Sequence, residues 1–190
     1  MNIIEVHERA LDELGRIVAG VKPEQMSLET PCTEWNVQAL LAHIVASNLM
    51  FAAAAEGTPG ERIVPSKELL GTDPTAAYRE SAEILKRAWR QPGRLEQPIT
   101  MPFGTMPGEA ALGIRLTETV IHGWDLATAT GQEARFDREA VGASMGFSQR
   151  ALSGERPPGS PFGPALDAPD GCSEIDSLAA FLGRKVPTTA

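Results

Sequence analysis

From Val37 to Ala55 the chain carries no Asp, Glu, Lys or Arg, and its only hydrogen-bonding side chains there are Gln38, His43, Ser47 and Asn48. Asn36 precedes the run and can cap it, and a stretch rich in Ala and Leu propagates helix readily. A helix apolar nearly all round is buried over most of its circumference. A membrane span needs roughly 20 apolar residues. Alanine is only weakly hydrophobic, however, and four hydrogen-bonding side chains interrupt the run, so the segment reads as the core helix of a soluble protein. His43 then lies in the middle of that core, where an imidazole needs a partner.

The 190 residues suit one domain large enough to bury a real core. A hydrophobic content of 42% is that of a globular chain. The net charge of -8, with a pI near 4.9, argues against nucleic acid or an anionic membrane surface as partner. The start, Met-Asn-Ile-Ile-Glu-Val-His-Glu-Arg, lacks the basic and apolar regions of a signal peptide. Cys32 and Cys172 lie far apart in unrelated contexts, which reads as two free thiols in a reducing cytoplasm.

Along the chain, Ile4, Leu11, Leu14, Val18 and Val21 recur at helical spacing and predict a first helix over residues 2–21, with His7 on the same apolar stripe. The core helix follows Thr30-Pro31. Residues 57–71 read as a linker, and Asp73-Pro74 starts a third helix that runs to about Arg90. The prolines and glycines between Gln91 and Gly108 exclude helix, and alternation around Leu95, Gln97, Ile99 and Met101 suggests a short strand pair. A long helix over 109–129, a fifth over about 137–152 and a short last one over 173–182 complete the set. The Pro/Gly-rich segment 153–172 reads as an extended surface crossover, and the tail from Pro187 as loose. The fold class is all-α, a single helical-bundle domain over 1–190.

The fourth helix contains Arg115-Leu-Thr-Glu118-Thr-Val-Ile-His122-Gly-Trp-Asp125. Glu118 and His122 are four apart and project from one face. A carboxylate and an imidazole at that spacing supply two metal ligands from one helix, with His43 as the natural third from a facing helix. Two His and one carboxylate suit Zn²⁺ or another divalent metal such as Ni²⁺, with a coordination position left open. The same residues also read blandly: Arg115, Glu118, His122 and Asp125 form a polar stripe opposite Leu112, Leu116, Val120 and Ala127, which is commonly a solvated face. His43 reads equally as a core histidine bonded to a carbonyl or hydroxyl. Gly123, about 1 kcal/mol worse than alanine in mid-helix, suggests close helix–helix approach and so favours a helix packed on both sides.

The segment Thr30-Pro-Cys-Thr-Glu-Trp-Asn-Val-Gln-Ala-Leu-Leu-Ala-His43 resembles the hallmark of the DinB/YfiT-like metalloprotein superfamily. The likeness is to its actinobacterial branch, related to the metal-binding domain of mycothiol-dependent maleylpyruvate isomerase. Glu118-Thr-Val-Ile-His122-Gly-Trp-Asp125-Leu-Ala is similar to that branch's second hallmark, as is the ending Phe162-Gly-Pro with Leu178-Ala-Ala-Phe-Leu-Gly-Arg. The resemblance implies a DinB-like four-helix bundle, here with extra C-terminal helices and a Pro/Gly-rich crossover. It implies His43, Glu118 and His122 as ligands of a divalent metal, and mycothiol as cosubstrate. The isomerase has a further C-terminal domain that contributes to its active site, whereas this sequence ends after the bundle and one short helix, so isomerase activity is not carried over.

The expected function is a thiol (mycothiol)-dependent S-transferase or isomerase-like enzyme, with a small-molecule thiol and an electrophile as partners. Asp125 would orient a ligand histidine or, equally, pair with Arg115 or a helix-end amide. The alternative is a non-catalytic bundle that binds metal or a small ligand as sensor, store or interaction module. Cys32 has no His/Asp partner in sequence and is assigned to packing. The expected location is the cytoplasm, with no nucleic acid or membrane partner, and a homodimer stays open.

Overall fold

In the computed structural model, residues 2–58, 63–154, 156 and 162–187 are described. Helix α1 (Ile3–Ala19) starts where the Asn2 side chain accepts from the Ile4 amide, and α2 (Val37–Ala55) where Asn36 accepts from Ala39. Helix α3 (Pro74–Trp89) has Asp73 as its cap and proline in its first turn. A hairpin of β1 (Pro98–Met101) and β2 (Gly104–Pro107) leads directly into α4 (Gly108–Thr130). Gly131, left-handed at φ 69°, stops α4. Helices α5 (Arg138–Ala151) and α6 (Glu174–Phe181) follow.

The packing runs α1–α3–α2–α4 and back to α1, which is the expected four-helix bundle. Helices α5 and α6 lie on the outer side of α4, and the hairpin leans on α2 and α4. One apolar core fills the bundle, around Leu14, Leu40, Ile44, Phe51, Leu85, Trp89 and Leu112. A second joins Val6 and Ala10 of α1 to Leu116, Val120 and Ile121 of α4 and to residues of α5 and α6. Helix α4 therefore has protein on most of its circumference, and most of its polar stripe is inside, with Glu118 half-buried. Arg115 and Asp125 are fully buried and His122 is 4% exposed, so the solvated-face reading of that stripe is overturned.

Helix α2 is long and apolar enough to cross a membrane by length and composition, yet 67% of its apolar window is buried against the rest of the bundle. The strand pair exists, with Ile99 and Met101 turned into the core. Two short 3-10 turns, Pro23–Gln25 and Lys67–Leu70, interrupt connectors that read as plain loop, and the second inserts Leu70 into the core. Residues 59–62 of the linker, 155 and 157–161 of the crossover and 188–190 of the tail lie outside the described residues; the described stretch 162–172 contains neither helix nor strand.

Candidate functional site

His43, in the middle of α2, and His122, in the middle of α4, meet where the two helices pack. Their ring centroids are 5.1 Å apart at an interplanar angle of 84°, edge to face. Trp35 closes the pair from the loop before α2, with its ring stacked on His43 at 4.2 Å and edge-on to His122 at 5.8 Å. That loop is pinned. The Thr30 hydroxyl donates to the carbonyls of Cys32 and Trp35, the Trp35 amide donates to Cys32, and the Val37 amide donates to Leu28. The indole is thus held in place by backbone bonds on both sides of it. Ser47, one turn after His43, lies 3.4 Å from its Nε2.

The orientation of His122 follows from its neighbours. Its Nδ1 is 3.1 Å from Asp125 Oδ2. Asp125 is completely buried and takes both Nε and Nη2 of Arg184, at 3.3 and 3.2 Å. A carboxylate paired with a guanidinium only accepts, so the His122 Nδ1 carries the proton, and in the neutral ring it is Nε2 that has the lone pair. This is the arrangement in which a carboxylate orients a ligating imidazole.

Glu118 is placed differently. Its Oε2 accepts from Arg115 Nη1 at 2.7 Å, while Arg115 Nε donates to Asn48 of α2 at 3.2 Å. A fully buried guanidinium needs an anion, and Glu118 is the acid within one turn of it. Among the described residues, no three His, Cys, Asp or Glu side chains are gathered as a metal-holding group. The two imidazoles are together; the carboxylate is turned to its arginine. The donor set nevertheless fits a divalent cation in its chemistry. The lone pair on His122 Nε2 is held in place by Asp125, a second imidazole stands against its ring, and Glu118 uses only one carboxylate oxygen for Arg115.

Two further residues sit as the sequence suggests. Burial pushes the Cys32 thiol up to about 11, so it is a protonated packing group beside the site; both cysteines are free. His7 is buried in α1, and desolvation, reinforced by Arg115 and Lys86, lowers its pKa to about 3. Gly123 is needed for close approach, but the neighbour is a side chain from the α4–α5 connector. A Cβ there would lie 2.7 Å from Phe136 Cε2, and 3.5 Å from Leu14 Cδ1 of α1 on the other side. Trp35 and Arg184 escaped the sequence reading as site residues. Both lie outside regular helix, where periodicity is silent, although each belongs to a stretch that carries the family resemblance.

Residues 7–127 match the family described as mycothiol maleylpyruvate isomerase N-terminal domain. The chain belongs to that family. The matched range contains the four-helix bundle except the first residues of α1 and the last of α4, together with His43, Glu118, His122 and Asp125. Uncharacterised proteins of two Mycobacterium tuberculosis strains are 34% identical over 188 residues, covering 98% of this chain and 100% of theirs. Among solved structures, the mycothiol-dependent maleylpyruvate isomerase superposes with a TM-score of 0.57 at 17% identity. A histidine-to-alanine mutant of that enzyme superposes at 0.58 and 14%. These likenesses show a shared DinB-like fold. They cover 74% of this chain and 65% of the isomerase chain, so the family relation spans the bundle and not the whole of that enzyme.

Proposed function

We propose that the chain binds a divalent cation, Zn²⁺ by the softness of its donors, through His43, His122 and Glu118, and acts with a low-molecular-weight thiol of the mycothiol class as a cytoplasmic S-transferase or isomerase-like enzyme. The observation that carries this reading is the contact of half-buried His43 with buried His122, beside a carboxylate that fixes the His122 tautomer. Membership of the mycothiol maleylpyruvate isomerase N-terminal domain family supports the choice of thiol. A cation held there supplies Lewis acidity, which lowers the pKa of a coordinated thiol and makes it a nucleophile near neutral pH.

The chain's own residues do the rest. Asp125 keeps the proton on His122 Nδ1 and so leaves Nε2 as the ligand atom. Trp35 covers the imidazole pair on one side and limits the water that reaches it. Arg115 compensates the charge of Glu118. Cys32, protonated and without a base, takes no nucleophilic part.

The contact of Glu118 with Arg115 favours a second reading, in which the bundle holds a metal or small ligand without turning anything over. Elemental analysis of protein purified without added metal, followed by thiol conjugation to model electrophiles with and without Zn²⁺, decides between the two. The enzyme reading expects near-stoichiometric metal, its loss in His43→Ala, and a metal-dependent rate. Bound metal with no rate difference would leave the non-catalytic reading; no bound metal at any stage would remove both metal readings.

A further inference from the structure

Arg184, which follows the end of α6, lies outside the family-matched range 7–127 and yet reaches Asp125 on α4. Its side chain is 6% exposed. Three features aim it there. Helix α6 ends in a Schellman turn, in which the Gly183 amide bonds to Ala180 and the Arg184 amide to Ala179, with Gly183 left-handed at φ 82°. Gly183 also packs on the crossover, since a Cβ there would lie 3.0 Å from Gly163 Cα and from the Pro164 carbonyl oxygen. The guanidinium lies over the Phe162 ring, 5.5 Å from its centroid, and its Nη1 donates back to the Leu182 carbonyl. The side chain is thus held at its base, along its plane and at one nitrogen before it meets Asp125.

We propose that Arg184 is the positioning residue of the site. Through its two-point contact it fixes the direction of the Asp125 carboxylate, and through Asp125 it holds the His122 ring in its place against His43. The geometry distinguishes this from simple charge pairing. Arg184 Nε and Nη2 take different oxygens of Asp125, and Oδ2 is shared between Arg184 and His122 Nδ1. One point of contact would balance charge; two also stop the carboxylate rotating. A carboxylate free to rotate leaves Nδ1 without a fixed acceptor, and the second His122 tautomer, with its proton on Nε2, then becomes populated. The C-terminal turn is in this way part of the site, although the motifs on α2 and α4 hold all the candidate ligands.

The metal part of this inference rests on the proposed metal reading; the tautomer part does not. The chain has three histidines, so ¹⁵N-histidine labelling with long-range ¹H–¹⁵N correlation can assign His122 in the metal-free protein at pH 8. Wild type is expected to show one His122 tautomer, protonated at Nδ1. Arg184→Gln should show both, and its Zn²⁺ affinity, from competition with a chelator dye, should fall about 10- to 100-fold. Arg184→Lys keeps the charge through a single nitrogen and should fall between the two; it serves alone if Arg184→Gln does not fold. A folded Arg184→Gln with a single Nδ1–H tautomer and wild-type affinity overturns the proposal. So does Arg184→Lys identical to wild type in both readouts, even with a lowered Tm, because a purely structural role would move Tm alone. If wild type takes up no more Zn²⁺ than His43→Ala, the metal reading falls separately, and the tautomer comparison still decides the role of Arg184.

Discussion

His7 is a histidine on the apolar face of a helix, fully desolvated in the fold and exposed in the unfolded chain. Its folded pKa of about 3 lies below the ordinary value of 6.5. Between those values the unfolded chain binds a proton that the folded one does not, so the stabilisation from a neutral His7 is complete above pH 6.5 and is lost as pH falls towards 3. The slope is about 1.4 kcal/mol per pH unit. Urea melts of wild type and His7→Gln between pH 7.5 and 5, above the main carboxylate range, should show the wild type losing stability faster by roughly that amount below pH 6.5. Parallel curves would mean that His7 charges without unfolding. The contrast with His122 is instructive, because both are buried imidazoles on helices. His122 has a carboxylate on Nδ1, whereas His7 Nε2 has no hydrogen-bond partner among the described residues. The neighbours, not the burial, separate a core histidine from a site histidine.

At the scale of elements, two glycines on α4 test what holds the helix in place. Gly108 opens it against the Arg94–Leu95 backbone, where a Cβ would lie 2.9 Å from the Arg94 carbonyl carbon and 3.0 Å from Leu95 Cα. Gly123 sits in its middle against the Phe136 ring, a side chain able to swing aside. Alanine recovers about 1 kcal/mol of helix propensity at the interior position and meets overpacking of typically 1–3 kcal/mol at either. Gly108→Ala should therefore destabilise by about 2 kcal/mol or more, and Gly123→Ala by about 1 kcal/mol or less, in thermal or denaturant melts. Equal losses would show that Phe136 is held as rigidly as backbone. The polar stripe of α4 belongs to the same scale. Its periodicity is that of a solvated amphipathic helix, and it is the packing of α2 against it that makes Arg115 and His122 interior residues, while Arg184 beyond α6 covers Asp125.

At the scale of the molecule, the proposed site joins two helices separated in sequence by α3 and the hairpin, so a ligand held by both must stabilise the whole bundle. With Zn²⁺ at about 100 times its Kd the folded state gains about 2.7 kcal/mol. For a chain of this size that corresponds to a rise in Tm of about 5–10 °C. Differential scanning calorimetry should show the rise in wild type and none in His43→Ala or His122→Ala. An equal rise in all three would place the metal elsewhere. The acidic surface makes weak, non-specific cation binding a real competitor, and the histidine variants separate it from binding at the site.

Much of this protein is local in origin. The caps Asn36 and Asp73, the glycine stop at Gly131 and the apolar periods of α1 to α4 are decided within a few residues of one another, and they read directly as helices and as a bundle. The pairing of Glu118 with His122 is local in the same sense, being one helical turn. What tertiary structure alone decided is which partners from elsewhere in the chain those side chains meet. His122 stands against His43, Arg115 bonds to Asn48, and Asp125 is held by an arginine 59 residues away. A hydrogen-bond partner that distant leaves no period in the chain. It is brought to the site by the packing of α6 on α4 and by one left-handed glycine at the end of α6.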